Sequence, residues 1–273
     1  MEKKKSGFGS TYLLILGVIT VICIIAGIKI HAVSADVGKE KSGNIEIGAC
    51  TDLDLNLKSS SVEIVKGTNW NVEYKNVPEK LIPKVTNKDG KMSITQKRIK
   101  GYNFNFGFLK LKSHSGGKII ITIPDDVEAI DLDAKLDMGS LKINDIVCGD
   151  VTVDIDMGKT VINNIEADKL NVDADMGAIK IEDVTANDIE LDADMGSIDV
   201  VNTVSEKIVA DADMGSIDVE AAFKKIEAKA DMGSVDVNFK DELCSEDEVK
   251  VSLKADMGSV KYNGEKHGKK FEK

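Results

Sequence analysis

The tripeptide Asp-Met-Gly occurs seven times, with Met at 138, 157, 176, 195, 214, 232 and 257, so the spacings run 19, 19, 19, 19, 18 and 25. Two kinds of chemistry are available at such a motif. The carboxylates before each Met (Asp137, Asp156, Asp175, Asp194, Asp213, Asp231 and Asp256) are hard oxygen donors, suited to weak Ca²⁺ or Mg²⁺ binding. The thioethers are soft donors of the kind that suits copper(I). A second acidic position, three residues before the Met, adds Asp154, Asp173, Asp192 and Asp211, with Lys135, Lys229 and Lys254 at its ends. No calcium loop of the nonapeptide or EF-hand type accompanies them, so a cation site here would be shallow.

Other chemistry lacks its parts. The chain of 273 residues has three His (His31, His114, His267) and one Arg (Arg98). Its four Cys (Cys23, Cys50, Cys148, Cys244) form no CxxC pair, so neither a zinc site nor a disulfide framework is indicated, and the thiols read as small buried side chains. Residues 125–258 hold 35 Asp and Glu against 12 Lys, within a net charge of −11 for the whole chain. Such a surface repels phosphates, which disfavours nucleic acid as a partner of that half. Polysaccharide cleavage needs one asymmetric pair of acids with their pKa values pushed apart, whereas these Asp recur uniformly. No catalytic residues are assigned and no cofactor is required beyond the weak cation option.

The motif must be positioned by strands. Counting from each Met, positions −6, −4 and −2 are apolar and alternate with polar residues, as in Leu170, Val172, Ala174 or Ile189, Leu191, Ala193. Positions +3 and +5 repeat the signal, as in Ile198 and Val200, and Thr160 alone among these sites is polar. Alternation with period two means strand, and a one-residue slip would turn every such side chain outward. The Gly after each Met supplies a tight corner, where positive φ carries no steric cost. Each repeat therefore reads as strand, corner, strand and return loop, and stacking about 4.8 Å apart closes a shared core. Seven rungs make a rod on the order of 30 to 35 Å long. By its phase with −6, −4 and −2, each Met is expected to point inward and fill the corner, which sets copper aside. The residues that stretch the last spacing, including Asp241, Glu242, Cys244, Glu246, Asp247 and Glu248, read as a looped-out excursion.

Stacking puts the seven Asp in one outward column, where neighbours about 5 Å apart repel by roughly 0.8 kcal/mol even in water. Either the carboxylates accept backbone N–H groups at the corner and are screened by lysines and counterions, or they share divalent cations.

The remaining segments are a basic tail (1–11), an uncharged apolar run from Tyr12 to Ile28 read as one transmembrane helix, a linker (29–43), a β-rich leader (44–124), the repeats (125–262) and a polar tail (263–273). Lysines ahead of the apolar run place the N-terminus in the cytoplasm and the rest outside. Val33-Ser34-Ala35 leaves a second reading open, cleavage after Ala35 and secretion. The leader is expected to cap the first rung, since an open solenoid end exposes unpaired backbone. Tyr102, Phe104, Phe106 and Phe108 lie on one side of a strand pattern, either covering the open end or forming a contact patch.

The order of Ser61-Val62-Glu63-Ile64, Asp89-Gly90-Lys91-Met92-Ser93-Ile94-Thr95, the strand Ile119 to Pro124 and then stacked corners resembles the bacterial putative adhesin domain family with adhesin-like β-strand repeats. The family usually carries Ser-Gly at the corners, where this chain has Met-Gly. The resemblance implies an all-β, parallel β-solenoid on a bacterial surface and no catalytic residues. The reading is a membrane-anchored, extracytoplasmic, non-enzymatic interaction scaffold, its partner an unnamed cell-surface or envelope component. An envelope-stress or regulatory accessory protein is the second reading.

Overall fold

The computed structural model describes residues 37–98 and 116–273. The apolar run 12–28 and the aromatic residues Tyr102, Phe104, Phe106 and Phe108 lie outside the described residues. Among the described residues no helix is long and apolar enough to cross a membrane.

The described chain is all-β. The leader contributes β1 (Glu40–Glu46), β2 (Asp52–Leu57), β3 (Ser61–Gly67), β4 (Asn71–Pro78), β5 (Lys84–Lys88), β6 (Lys91–Thr95) and β7 (Lys118–Pro124). The repeats form β8 (Ile130–Asn144), β9 (Cys148–Met195), β10 (Ile198–Met214), β11 (Ile217–Met232), β12 (Val235–Phe239), β13 (Lys250–Ala255) and β14 (Val260–Tyr262). Two short strands, β15 (Glu265–Lys266) and β16 (Lys270–Glu272), finish the chain.

Strand pairing between rungs is parallel and in register. Met138 lies beside Met157, Met195 beside Met214 and Met214 beside Met232, with Ile198 beside Ile217 and Ala212 beside Ala230 on the flanks. All the apolar positions at −6, −4, −2, +3 and +5 are buried in every rung, including Thr160, whose Oγ1 has no hydrogen-bond partner. The register is thus the one that the alternation requires.

The expected return loop is itself strand. Buried residues continue at +8 and +10, as Ile146 and Cys148 in one rung and Val184 and Ala186 in another. The reason is visible in the spacing. Inward positions two apart belong to one strand run, while the odd separations (−2 to +3, +5 to +8, and +10 to the next −6) each break the alternation. Each rung therefore has three runs and three corners. At the second corner Asp145, Asn164, Asp183 and Asn202 take left-handed backbone, with φ of 57°, 51°, 54° and 48°. Asn and Asp tolerate this conformation, and their side chains link rungs: Asn164 Nδ2 donates to Asp145 Oδ1 at 2.6 Å and Asn202 Nδ2 to Asp183 Oδ1 at 3.3 Å. The spacing of 18 between Met214 and Met232 is the loss of this residue, because Val201 pairs with Glu220 and Thr203 with Ala221, leaving Asn202 without a counterpart.

The glycines of the first corner need correction. Only Gly139 and Gly158 have φ in the positive range, at 138° and 152°. What all seven share is close approach: a Cβ on Gly196 would lie 1.5 Å from the Gly177 carbonyl oxygen, and one on Gly215 would lie 1.5 Å from that of Gly196. Glycine is required because backbones nest there, more than for its dihedral freedom.

The leader does more than cap. Leu53, Leu55 and Leu57 of β2 pair with Leu132, Ala134 and Leu136, while Val62 and Ile64 of β3 pair with Leu141 and Ile143. β2 and β3 are thus a rung preceding the first repeat, with Lys58-Ser59-Ser60 at its corner. Beyond it, β6 lies parallel to β2 and β7 parallel to β3, forming one more rung. In that rung Gln96 and Ile119 hold the −2 and +3 places. Gln96 ties the corner below it: its Nε2 donates to Ser60 Oγ at 2.8 Å and to the Leu81 carbonyl at 2.7 Å, and its Oε1 accepts the Lys58 N–H at 3.0 Å.

Both ends of the stack are closed by antiparallel strands. β5 pairs with β6, β4 with β7 and β1 with β4 at one end. At the other, β15 pairs with β14 and β16 with β13. The segment 263–273, read as a polar tail, therefore carries two strands, and Phe271 stacks on Tyr262 with ring centroids 4.8 Å apart. β1 likewise begins inside the stretch read as a linker. Covering the last rungs in this way removes the exposed edges at which a parallel stack would recruit another chain. The excursion in the last spacing runs between β12 and β13 and contains a short 3₁₀ turn, Glu246–Glu248.

Candidate functional site

The functional candidate is the strip formed by the Asp-Met-Gly corners. Asp137, Asp156, Asp175, Asp194, Asp213, Asp231 and Asp256 fall in one column, as expected. Its ends are met by lysines: Lys58 Nζ lies 2.7 Å from Asp137 Oδ1, Lys229 Nζ 2.7 Å from Asp231 Oδ1 and Lys254 Nζ 2.8 Å from Asp256 Oδ1. Lys58 belongs to the rung that the repeat pattern did not reveal. Among the described residues, Asp156, Asp175, Asp194 and Asp213 have no lysine at that distance. The column is thus neutralised at its ends by ammonium groups rather than by backbone N–H groups along its length.

Burial, then the neighbouring carboxylates, raises the pKa of Asp156 above the ordinary range, and the same causes act in the −3 column on Asp173 and Asp192. Asp211 is raised by burial against the opposing pull of Lys229, whose Nζ is 3.8 Å away. A third line of charge, at +4, was not singled out from the sequence. There Asp199, Asp218 and Asp236 stack, Asp218 is raised by burial and by both neighbours, and Lys261 closes the line 2.7 Å from Asp236.

These shifts set the sign of the pH dependence. A carboxylate whose pKa is higher folded than unfolded makes the folded state bind protons more tightly, so stability falls as pH rises through the carboxylate range and is fully reduced above it. The melting temperature is therefore expected to rise as the pH is lowered from 7 toward about 5, nearer the ordinary Asp pKa of about 3.9. A thermal melt series that fell steadily over that interval would contradict this account.

Among the described residues no group of three or more His, Cys, Asp or Glu is arranged to hold a metal ion. The −1 and −3 carboxylates run as two parallel lines, and among the described residues no three of them converge on one point. Ca²⁺ is therefore expected to raise the melting temperature only as far as NaCl of equal ionic strength does, by screening. A larger shift with Ca²⁺ in a matched melt would assign the Asp column as a divalent-cation site.

The methionines are placed differently from the expectation. Met138 and Met157 are half-buried, Met176 is 41% exposed, Met195, Met214 and Met232 are each 43% exposed, and Met257 is 65% exposed. They face outward beside the Asp column. The inward reading carried the strand alternation through the corner, but the interval of five between −2 and +3 is odd, so the phase reverses within Asp-Met-Gly.

The raised carboxylates lie on the outer faces of the rungs, and an open groove of about 970 Å³ at the N-terminal cap is lined by Trp70, Asn44, Thr122 and their neighbours. Cys50, Cys148 and Cys244 are free thiols. Burial pushes the Cys148 thiol up to about 12 and the Cys50 thiol up to about 11, with Asp131 and Asp52 adding to it, so neither is a nucleophile at neutral pH.

A family model described as Toastrack DUF4097 matches residues 50–272, which spans the leader rungs, the repeats and the C-terminal cap. The chain belongs to this family. The Toastrack region begins at Cys50, just before the first rung strand, and includes β16, in keeping with a stack closed at both ends. Among solved structures, a putative adhesin from Bacteroides fragilis NCTC 9343 is 20% identical, with a TM-score of 0.58, covering 82% of this chain and 97% of that one. A putative adhesin from Parabacteroides distasonis ATCC 8503 is 16% identical, with a TM-score of 0.46 over 84% of this chain and 99% of that one. A putative lipid binding protein from the same organism is 14% identical, with a TM-score of 0.44 over 84% and 98%. No curated protein matches the chain. The likeness to the Bacteroides fragilis protein is one of fold, and it agrees with an all-β, solenoid-like Toastrack architecture.

Proposed function

We propose that the protein is a membrane-anchored, extracytoplasmic β-solenoid that serves as a non-enzymatic, adhesin-like interaction scaffold. The observation that carries this reading is the uniformity of the Asp-Met-Gly strip: the same three residues recur in columns from rung to rung, with no asymmetric acid pair among the described residues of the strip. Catalysis needs such asymmetry, whereas a repeated surface suits contact with an extended or repeating partner on a cell surface or in the envelope. The Toastrack family and the fold shared with a protein named as a putative adhesin support the same reading. The anchor is residues 12–28, with the lysines before it holding the N-terminus in the cytoplasm. The acidic rod disfavours nucleic acid as a partner.

Fractionation of cells with mass determination of the mature protein tests the anchor. The expected result is the uncleaved mass in the membrane fraction, with the rod digested by protease added outside intact cells. A mature chain beginning after Ala35 in the medium would replace the anchor by secretion, and an uncleaved chain in the cytosol would overturn the reading altogether.

A further inference from the structure

The Asp-Met-Gly corner is more uniform than the fold requires. Other outward columns differ from rung to rung: the +4 column reads Lys142, Val161, Lys180, Asp199, Asp218, Asp236 and Lys261. The glycine is explained by the nesting of backbones, but packing does not explain the methionine. Its exposure reaches 65% at Met257, where a thioether contributes little burial, and the residue type is the same in all seven corners. Nor does the corner need it to form, because the rung of β2 and β3 turns through Lys58-Ser59-Ser60 and still stacks on β8 in register.

What distinguishes methionine from leucine at such a place is its sulfur, together with three rotatable bonds. Pairing in register sets consecutive methionines one strand spacing apart, about 4.8 Å. Flexible thioethers at that spacing can turn two or three sulfurs onto one ion. The glycines on one side add no side chain over them, and the Asp column on the other supplies a negative field. That field raises the local concentration of any cation, while neutral sulfur selects a soft one.

We propose that the ladder Met176, Met195, Met214, Met232 and Met257 is a binding site for soft monovalent d¹⁰ cations, copper(I) or silver(I), held by thioether sulfurs of adjacent rungs. The neighbouring carboxylates act through their charge and are not ligands. This site is separate from any divalent-cation role of the Asp column, since hard ions do not select thioethers.

The test uses the full chain in detergent, carrying Cys23→Ser and Cys244→Ser to reduce competition from thiols, while Cys50 and Cys148 are buried in the core. Silver(I) nitrate in chloride-free buffer is the probe, followed by calorimetry and by NMR of ¹³C-methyl methionine. About two silver ions per chain are expected, at two to three sulfurs each. The ladder methyl signals should shift, while that of Met92, fully buried in β6, stays in place. Replacing the five ladder residues by leucine should weaken binding at least tenfold with the melting temperature unchanged, because leucine conserves volume at an exposed site. Equal binding by the leucine variant, no binding below millimolar silver, or signals that move at Met92 rather than in the ladder would each overturn the proposal. Copper(I) competition against bicinchoninate under anaerobic conditions is expected to give the same ranking of parent and variant.

Discussion

Gly196→Ala is expected to destabilise the protein by more than about 4 kcal/mol, a strain effect of the size that only a few mechanisms reach. The added Cβ would sit 1.5 Å from the Gly177 carbonyl oxygen, 2.6 Å from its carbonyl carbon and 3.5 Å from the Ala178 nitrogen. All three are backbone atoms held in the parallel ladder, so no side chain can swing aside. Relief requires separating the two rungs at the corner, which breaks pairing on both sides of it. The position is central in the stack, and in a solenoid each rung contacts only its neighbours, so the defect divides the rod into two shorter ones. Urea unfolding should show a midpoint well below that of the parent, with two transitions in place of one. A loss under about 1 kcal/mol would mean that the corners are not nested as described. Ser60 occupies the glycine place in its own rung, where its Oγ donates to the Gly116 carbonyl at 2.7 Å.

Phe223→Ala is the second large effect, expected to cost about 3 to 5 kcal/mol. Phe223 is fully buried in β11 and meets Phe239 edge to face, with ring centroids 5.3 Å apart and planes at 75°. It occupies the place held by Ser205 one rung earlier. The large ring fills space in the rung shortened by one residue and lies under the excursion, where Cys244 Sγ is 3.5 Å from the Phe223 carbonyl oxygen. Truncation leaves a cavity beside backbone that is held by pairing with β10, where Ser205 lies opposite Phe223, and the excursion covers its other side. The loss should be local: hydrogen exchange is expected to accelerate in β11 to β14 while β8 and β9 keep their protection. Uniform acceleration along the whole rod would contradict the nearest-neighbour character of the stack.

The two variants bear on different parts of what the sequence reveals. The period, the five apolar columns and the register were legible because alternation of small and branched aliphatic residues admits one inward face, and every such position is buried. The third run of each rung was also written in the chain, at Ile146 and Cys148 or Val184 and Ala186, but its two inward residues are too few to stand out from a loop. The second corner is marked by Asp145, Asn164, Asp183 and Asn202, ordinary polar residues until their left-handed backbone is seen. The orientation of the methionines could have been derived from the odd interval across the corner. The rungs made by the leader were hidden for a different reason. Their strands are not consecutive in the chain: β6 lies beside β2, and β7 beside β3, with β4 and β5 between. A periodicity search cannot see pairing of that kind. The lysine at Lys58 that closes the carboxylate column becomes visible only once that pairing is known.

Termination of the stack by strands of opposite direction has a consequence for how such a molecule can vary. The two lids recognise only the outermost rungs, and each interior rung offers its successor the same edge that it received. Duplication of one nineteen-residue unit would therefore lengthen the body by about 4.8 Å without asking for any new type of contact, and deletion would shorten it by the same step. The polypeptide behaves as a graduated spacer, its reach set by a count and its chemistry per unit length held constant.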